Sequence, residues 1–227
     1  IIIWPIWITY MFFGLIFLFF SLYVVPLKSF HYLLRPFCWF SCFFAGQWLK
    51  KEGDTPEDKK TPYIYMFNHV SMFDQFMVVA FLKHYTTAIG AYEEFRWPIF
   101  GAVAKKYGGI PIDRKHLRKA IGTLKRAENI IREGTSLIIA PEGTRTVTGQ
   151  MGPFKKGPFH LALNTEATIV PVALINAFEA KKKTDWRLKP GIIKARFGNP
   201  IYYHKYSNLS VEELRDLIKN RIEILLK

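Results

Sequence analysis

Hydrophobic and polar positions divide the chain into two regimes. Residues 1 to 25 read IIIWPIWITYMFFGLIFLFFSLYVV and carry no charged side chain. About twenty apolar residues suffice to cross a bilayer as a helix. Residues 5 to 25 meet that length, with Pro5 suited to a first turn and Pro26 to a stop. Trp4, Trp7, Tyr10 and Tyr23 stand towards the two ends, where aromatic rings favour the membrane interface. Residues 27 to 50 are patterned differently. Lys28, His31 and Arg35 are spaced to share one helical face, with Phe30, Leu33, Leu34, Phe37, Phe40, Phe43 and Phe44 filling much of the remainder. The uncharged run from Pro36 to Leu49 is too short to cross comfortably, so a helix lying at the interface, or a shallow hairpin with the first helix, is expected. A simple transmembrane anchor over residues 1 to 25 is the alternative.

Past Lys51 a polar, proline-containing stretch, EGDTPEDKKTP, reads as a linker, and an alternation of periods follows. Buried strands are predicted at Tyr63 to Phe67, Thr86 to Gly90, Gly109 to Ile112, Thr135 to Ala140, Ala167 to Leu174 and Ile192 to Phe197. Helices are predicted from Met72 to Lys83, entered through Ser71, and from Glu93 to Tyr107 with a break near Pro98. Lys115 to Arg132 shows Leu117, Ala120, Ile121, Leu124, Ala127 and Ile131 at helical spacing, with Lys and Arg opposite. Pro158 to Asn164 is a short helix, and Ser210-Val-Glu-Glu opens a last one with a capping box. The expected fold is α/β: a mixed central sheet flanked by helices, preceded by a two-helix membrane-associating segment. The boundary is expected at 50/51, with residues 1–50 associating with the membrane and 51–227 forming the α/β domain.

Charge sharpens this division. The net charge is +14 over the whole chain, yet residues 1 to 49 hold only Lys28 and Arg35. The remainder carries 30 Lys and Arg against 18 Asp and Glu, an excess of +12 that calls for an anionic partner. No RRM, KH or zinc-finger spacing is present, so nucleic acid is not expected; beside an apolar N-terminus, a membrane surface or a phosphorylated substrate is. Cys38 and Cys42 read as packing, and no disulfide framework or metal-ligand spacing occurs. A removable signal peptide is not expected.

Four segments carry candidate chemistry. His69 follows one predicted strand directly, at the strand ends where α/β sheets collect ligands, and Asp74 comes five residues later at a helix start. A carboxylate bonded to one imidazole nitrogen fixes the tautomer and leaves the other nitrogen as a base. The spacing has a plainer reading, because Ser71-x-x-Asp74 is itself a helix-capping pattern. Next, Gly108-Gly-Ile-Pro-Ile-Asp-Arg114 and Pro141-Glu-Gly-Thr-Arg145 each place an arginine at a strand exit. Two guanidinium groups so placed can clamp a phosphate, and Lys155 and Lys156 add charge to the second loop. Finally, Val170-Pro171-Val172 puts a proline within a strand, which suggests an edge or a bulge. Lys181, Lys182 and Lys183 form a solvated run that is a minor candidate for meeting phosphates of coenzyme A or an acidic carrier protein.

Taken in order, NHVSMFD, GGIPIDR, PEGTR and IVPVA resemble the four motifs of the glycerolipid acyltransferases, particularly bacterial 1-acylglycerol-3-phosphate acyltransferases. The resemblance covers roughly residues 60 to 175; Pro111 stands where that family usually carries a bulky aromatic. It implies that His69 is the catalytic base and Asp74 its orienting partner. It further implies that Arg114 and Arg145 bind the acceptor phosphate, that Glu142, Gly143 and Thr144 shape that site, and that Lys105 and Lys155 are additional phosphate contacts. The implied acceptor is lysophosphatidic acid, with glycerol 3-phosphate or another lysophospholipid as the alternative within the class and a non-catalytic binder of anionic lipids as the alternative outside it. The implied donor is acyl-CoA or acyl carrier protein. No permanently bound cofactor or metal is implied. The expected setting is the cell membrane, with the catalytic domain on the cytoplasmic face.

Overall fold

The computed structural model describes residues 2–58 and 61–227; Ile1, the linker residues Lys59 and Lys60, and the side chain of Leu117 lie outside the described residues. Two apolar helices come first, α1 (Ile3–Val24) and α2 (Leu27–Phe44). α1 is apolar all round and long enough to cross a membrane. It packs along α2: Tyr10 donates to the Phe37 carbonyl at 2.9 Å and Trp7 Nε1 to Ser41 Oγ at 3.1 Å. His31 does not share a solvent-facing stripe with Lys28, which is exposed. It is fully buried, with Nδ1 2.8 Å from the Tyr107 hydroxyl and Nε2 3.0 Å from the Leu82 carbonyl. A polar ring inside an apolar layer is tolerated only when both nitrogens are paired, as here.

The sheet has seven strands: β1 (Gln47–Glu52), β2 (Tyr63–Phe67), β3 (Thr86–Ala91), β4 (Ile110–Ile112), β5 (Ser136–Ile139), β6 (Thr168–Ile175) and β7 (Gly191–Phe197). Their order is β1-β7-β6-β2-β5-β3-β4, parallel except for the antiparallel β6–β7 pair. The mixed sheet expected from the alternation is present. The boundary expected at 50/51 is corrected, because β1 runs across it in register with β7 from Gln47↔Gly191 to Glu52↔Arg196. Helices α1 and α2 also share one apolar cluster with β2, β6 and β7, so they are a layer of the domain and not an appendage. On the other face lie α5 (Leu117–Arg132), α6 (Gly157–Thr165) and α8 (Val211–Leu226). The capping box at Ser210 forms as expected. Ile121, expected inside, is 57% exposed.

Pro171 does not lie on an edge, since β6 is an interior strand and Pro171 is paired with Met66 of β2, but the register with β7 slips by one residue beside it, as in a bulge. Its carbonyl accepts from Gly198 N–H at 2.9 Å, so its nitrogen also faces the β7 side. There the ladder breaks off between Val172↔Phe197 and the bridge Ile169↔Ile201, and the missing donor falls in the gap.

β1 ends at Gly53, which has φ +72° and whose added Cβ would lie 2.1 Å from the Phe197 carbonyl oxygen. Gly134 has φ +86° with open space around it. Gly134→Ala should therefore cost about 1–2 kcal/mol for the left-handed backbone alone. Gly53→Ala must also displace a main-chain carbonyl and should cost clearly more. Thermal melting in detergent tests this, at about 2–4 °C per kcal/mol for a chain of this size. Equal melting shifts for the two variants would show that β1 is not held as described.

Candidate active site

β2 delivers Asn68 and His69 to the carboxyl ends of the parallel strands, where loops converge. Asn68 is fully paired there: its Nδ2 donates to the Leu174 carbonyl at 3.1 Å, and its Oδ1 accepts from Leu174 N–H at 2.7 Å. The next residues fold around Asp74, which is 1% exposed. Asp74 Oδ2 accepts from Val70 N–H at 2.7 Å and lies 2.7 Å from His69 Nδ1; both carboxylate oxygens lie within 3.0 Å of Ser71 N. Burial raises the Asp74 pKa, while the bonds from His69, Ser71 and Val70 oppose that rise.

The helix is shorter than expected: α3 spans Asp74–Val79 and starts on the carboxylate itself. Ser71 does not cap it, since its hydroxyl donates instead to the Lys181 carbonyl at 3.3 Å. The physical reason is that the Asp74 carboxylate already occupies the Val70 and Ser71 N–H groups, which pulls the entering chain back towards His69.

Both backbone polar groups of His69 are held by the loop after β5. Its N–H donates to Glu142 Oε1 at 2.7 Å, and its carbonyl accepts from Thr146 N–H at 2.9 Å. Glu142 is 4% exposed, and its other oxygen accepts from Gly152 N–H at 2.8 Å. Burial raises the Glu142 pKa, against the opposing bonds from His69 and Gly152. Glu142 thus anchors the imidazole's loop instead of reaching towards a phosphate, a task for which its own charge is unsuited.

His69 opens onto a cavity of about 810 Å³. Its Nε2 has no protein hydrogen bond among the described residues, and the side chain is 17% exposed. Arg114, Thr144 and Arg145 line the same cavity, so the two strand-exit arginines meet the histidine as expected. Glu94 lines it as well; burial lowers the Arg114 pKa, and Glu94 and Glu93 push it back up. Gly143, with φ +72°, turns the loop behind Thr144. Lys105 and Lys155 are exposed and do not line the cavity: Lys105 ends α4 (Phe100–Lys106), and the Lys155 chain crosses behind Gly143.

One cation that the sequence treats as solvent is here too. Lys183 lines the cavity, and its Nζ donates to Thr144 Oγ1 at 3.1 Å. The loop that presents it is folded by Lys181, whose buried ammonium donates to the carbonyls of Lys182 and Asp185. A run of three lysines gives no signal of this. The apolar part of the wall comes from α1, through Trp7, Ile8, Met11, Phe12 and Leu15, and from Met72, Phe76 and the segment Trp97 to Phe100. A smaller apolar cavity of about 110 Å³ adjoins it, and Leu15, Phe76 and Phe100 border both. Among the described residues no group of three His, Cys, Asp or Glu is placed to hold a metal ion.

The anchoring role of Glu142 has a direct consequence. In Glu142→Gln one amide oxygen can accept only one of the two N–H groups, and its NH₂ confronts the other. Despite equal size, this substitution should destabilise the fold by about 1–3 kcal/mol, measured by denaturant unfolding. A change within about 0.5 kcal/mol, the usual scatter of surface substitutions, would argue against the anchor.

Residues 49–175 match the acyltransferase family. A 1-acyl-sn-glycerol-3-phosphate acyltransferase of Cocos nucifera is 36% identical over 146 residues, covering 64% of this chain and 47% of that protein. One of Limnanthes alba is 34% identical over 164 residues, covering 72% and 57%. The chain spans about half the length of these plant relatives. One of Haemophilus influenzae is 28% identical over 191 residues, covering 81% of this chain and 79% of its own length. The crystal structure of the 1-acyl-sn-glycerophosphate acyltransferase of Thermotoga maritima superposes with a TM-score of 0.84 at 23% identity, covering 98% of this chain and 90% of that one, so the two share a fold. With the family matched across β2 to β6, including the loops that carry His69, Arg114 and Arg145, the chain belongs to the acyltransferase family.

Proposed function

We propose that the protein transfers a fatty acyl group from an acyl thioester to the sn-2 hydroxyl of lysophosphatidic acid, yielding phosphatidic acid. One observation carries this reading: His69, held by a buried carboxylate at 2.7 Å, has Nε2 free in a cavity that also receives Arg114 and Arg145. The relatives named 1-acyl-sn-glycerol-3-phosphate acyltransferases support it. The acceptor phosphate lies against Arg114 and Arg145, and Lys183 extends the same cationic wall. This sets the hydroxyl beside Nε2. His69 takes the hydroxyl proton as the oxygen forms its bond to the thioester carbonyl carbon. When the C–S bond breaks, the proton passes to the departing thiolate. Asp74 keeps Nδ1 protonated and stabilises the imidazolium that forms. No enzyme nucleophile is required, and Ser71 is engaged with the Lys181 carbonyl.

The apolar wall from α1 suits the chain of a lysophospholipid. Drawing an acyl chain out of a bilayer costs about 0.8 kcal/mol per CH₂, and a site walled by a membrane helix avoids most of that. We place the protein at the cell membrane, with the catalytic domain on the cytoplasmic face where acyl thioesters are made. Acyl-CoA or acyl carrier protein is the donor, and no permanent cofactor takes part.

The test is acyl transfer by purified protein offered lysophosphatidic acid, glycerol 3-phosphate and lysophosphatidylethanolamine. Lysophosphatidic acid should be preferred; preference for another acceptor would reassign the substrate. His69→Ala should lower kcat by about 10²–10⁴-fold with vesicle binding retained, and undiminished transfer would end the general-base assignment. Arg145→Ala should chiefly raise KM for the phosphate-bearing acceptor, by about tenfold or more for a lost charged bond of 1.5–3 kcal/mol. A like effect on a phosphate-free acceptor would remove the clamp.

A further inference from the structure

The cations that line the cavity do not account for the chain's charge excess, and a second set lies on the outer face of α5. Arg118, Lys119, Lys125 and Arg126 recur there at helical spacing and are exposed, with Lys115 just ahead of the helix. Lys119 reaches Asp113 at 3.5 Å, whereas the side chains of Lys115, Arg118, Lys125 and Arg126 form no ion pair among the described residues. The arrangement opposes helix stability. The first turn contains no acid, and cations at the positive end of a helix dipole each cost about 0.3–1 kcal/mol. Gly122 lies in the same stripe, mid-helix, with nothing within 4 Å of where its Cβ would be. Glycine there costs about 1 kcal/mol relative to alanine, and no contact inside the protein requires it. Exposed Ile121 borders it. An unpaired cationic stripe around a bare patch of backbone, with one apolar side chain beside it, fits a partner that approaches closely and is itself acidic.

We propose that this face of α5 docks an acidic acyl carrier protein, the soluble form of the thioester donor. The proposal deepens the acyltransferase reading above and rests on it. Its position suits that task. α5 begins three residues after Arg114, at the site end of β4, so the stripe starts at the edge of the cavity that holds His69. A carrier held there can extend its phosphopantetheine arm into the cavity. A membrane surface is the poorer occupant, because α5 packs with α6 and α8 on the sheet face opposite α1 and α2, which are the apolar, membrane-seeking layer. The stripe also serves a different purpose from Arg114 and Arg145, since it lies outside the cavity lining.

The experiment compares palmitoyl-acyl carrier protein with palmitoyl-CoA as donors to lysophosphatidic acid, using the full chain in phosphatidylcholine vesicles with and without phosphatidylglycerol. In Lys125→Glu/Arg126→Glu, KM for the carrier-bound donor should rise by about tenfold or more, with a weaker dependence on salt, because like charges then face each other. KM for palmitoyl-CoA should be unchanged. Gly122→Leu keeps every charge and favours the helix, and it should raise the same KM without lowering the melting temperature. Equal effects on both donors, no effect on the carrier, wild-type transfer from palmitoyl-CoA alone, or an effect that appears only with phosphatidylglycerol would each overturn the docking surface while leaving the acyltransferase reading intact. Absence of wild-type transfer from either donor would instead defeat that reading, and the docking surface with it.

Discussion

The site depends on a carboxylate buried where water cannot reach it. Moving an ionised carboxylate out of water costs several kcal/mol, and only well-placed donors offset this. Asp74 obtains them from Val70, Ser71 and His69, all within five residues before it. The chain from 69 to 73 is therefore wound around Asp74, and α3 starts only at that residue. Burial of the acid and orientation of the imidazole are one event: a ring turned away from Asp74 would leave a buried oxygen short of a donor. The second buried acid, Glu142, applies the same constraint from β5. It fixes His69 through its backbone N–H, and Thr146 takes the carbonyl. Side chain and main chain of one residue are thus held from two strands that pair directly.

Sheet order determines what else comes within reach. β5 is next to β2, so the loop carrying Arg145 necessarily lies against His69. β4 is three strands from β2, roughly 14 Å at the usual strand spacing, so Arg114 reaches the cavity from its far side. The acceptor proposed above, bound between the arginines, would be gripped across the cavity's width, which would limit where its hydroxyl can lie. The antiparallel β7 brings the chain back on the other side of β6. The β6–β7 connection, entered through α7 (Ala177–Ala180), is what sets Lys183 on Thr144.

How much of this was legible follows from where each signal resides. The His69–Asp74 pairing was readable because both partners are local, five residues apart, and their chemistry needs that closeness. Period and punctuation located six of the seven strands. β1 was missed since Gln47–Glu52 carries Lys50, Lys51 and Glu52: an edge strand with one unpaired side keeps charges, and by composition it resembles a linker. Pro171 marked an irregularity in the ladder but not an edge. Proline excludes a strand interior only where its nitrogen meets a neighbour's ladder, and the gap in β7 that frees it is a long-range fact. His31 and Lys183 were misread for one reason: each gains its partners across long stretches of chain, and no local pattern records a fold-dependent contact. Glu142 was readable as a residue that shapes the site, but not how, because the motif shows the residue and not which way its carboxylate turns.

The cavity's polarity joins the two regimes of the sequence. Its cations come from loops at the carboxyl ends of the strands, and part of its apolar wall comes from α1, far before Lys183 in the chain. The anionic head and apolar tail of the proposed acceptor would thereby have distinct places. This explains why α1 and α2 share a core cluster with the sheet. A helix that only tethered the protein would need no fixed register against it. A helix that forms part of the wall of the site must keep a fixed place against the sheet. Tyr10 and Trp7 hold it to α2, and buried His31 ties α2 to the layer containing Leu82 and Tyr107. The polar atoms in this apolar segment therefore carry the registration, because a buried hydrogen bond specifies position where apolar contact alone would allow sliding.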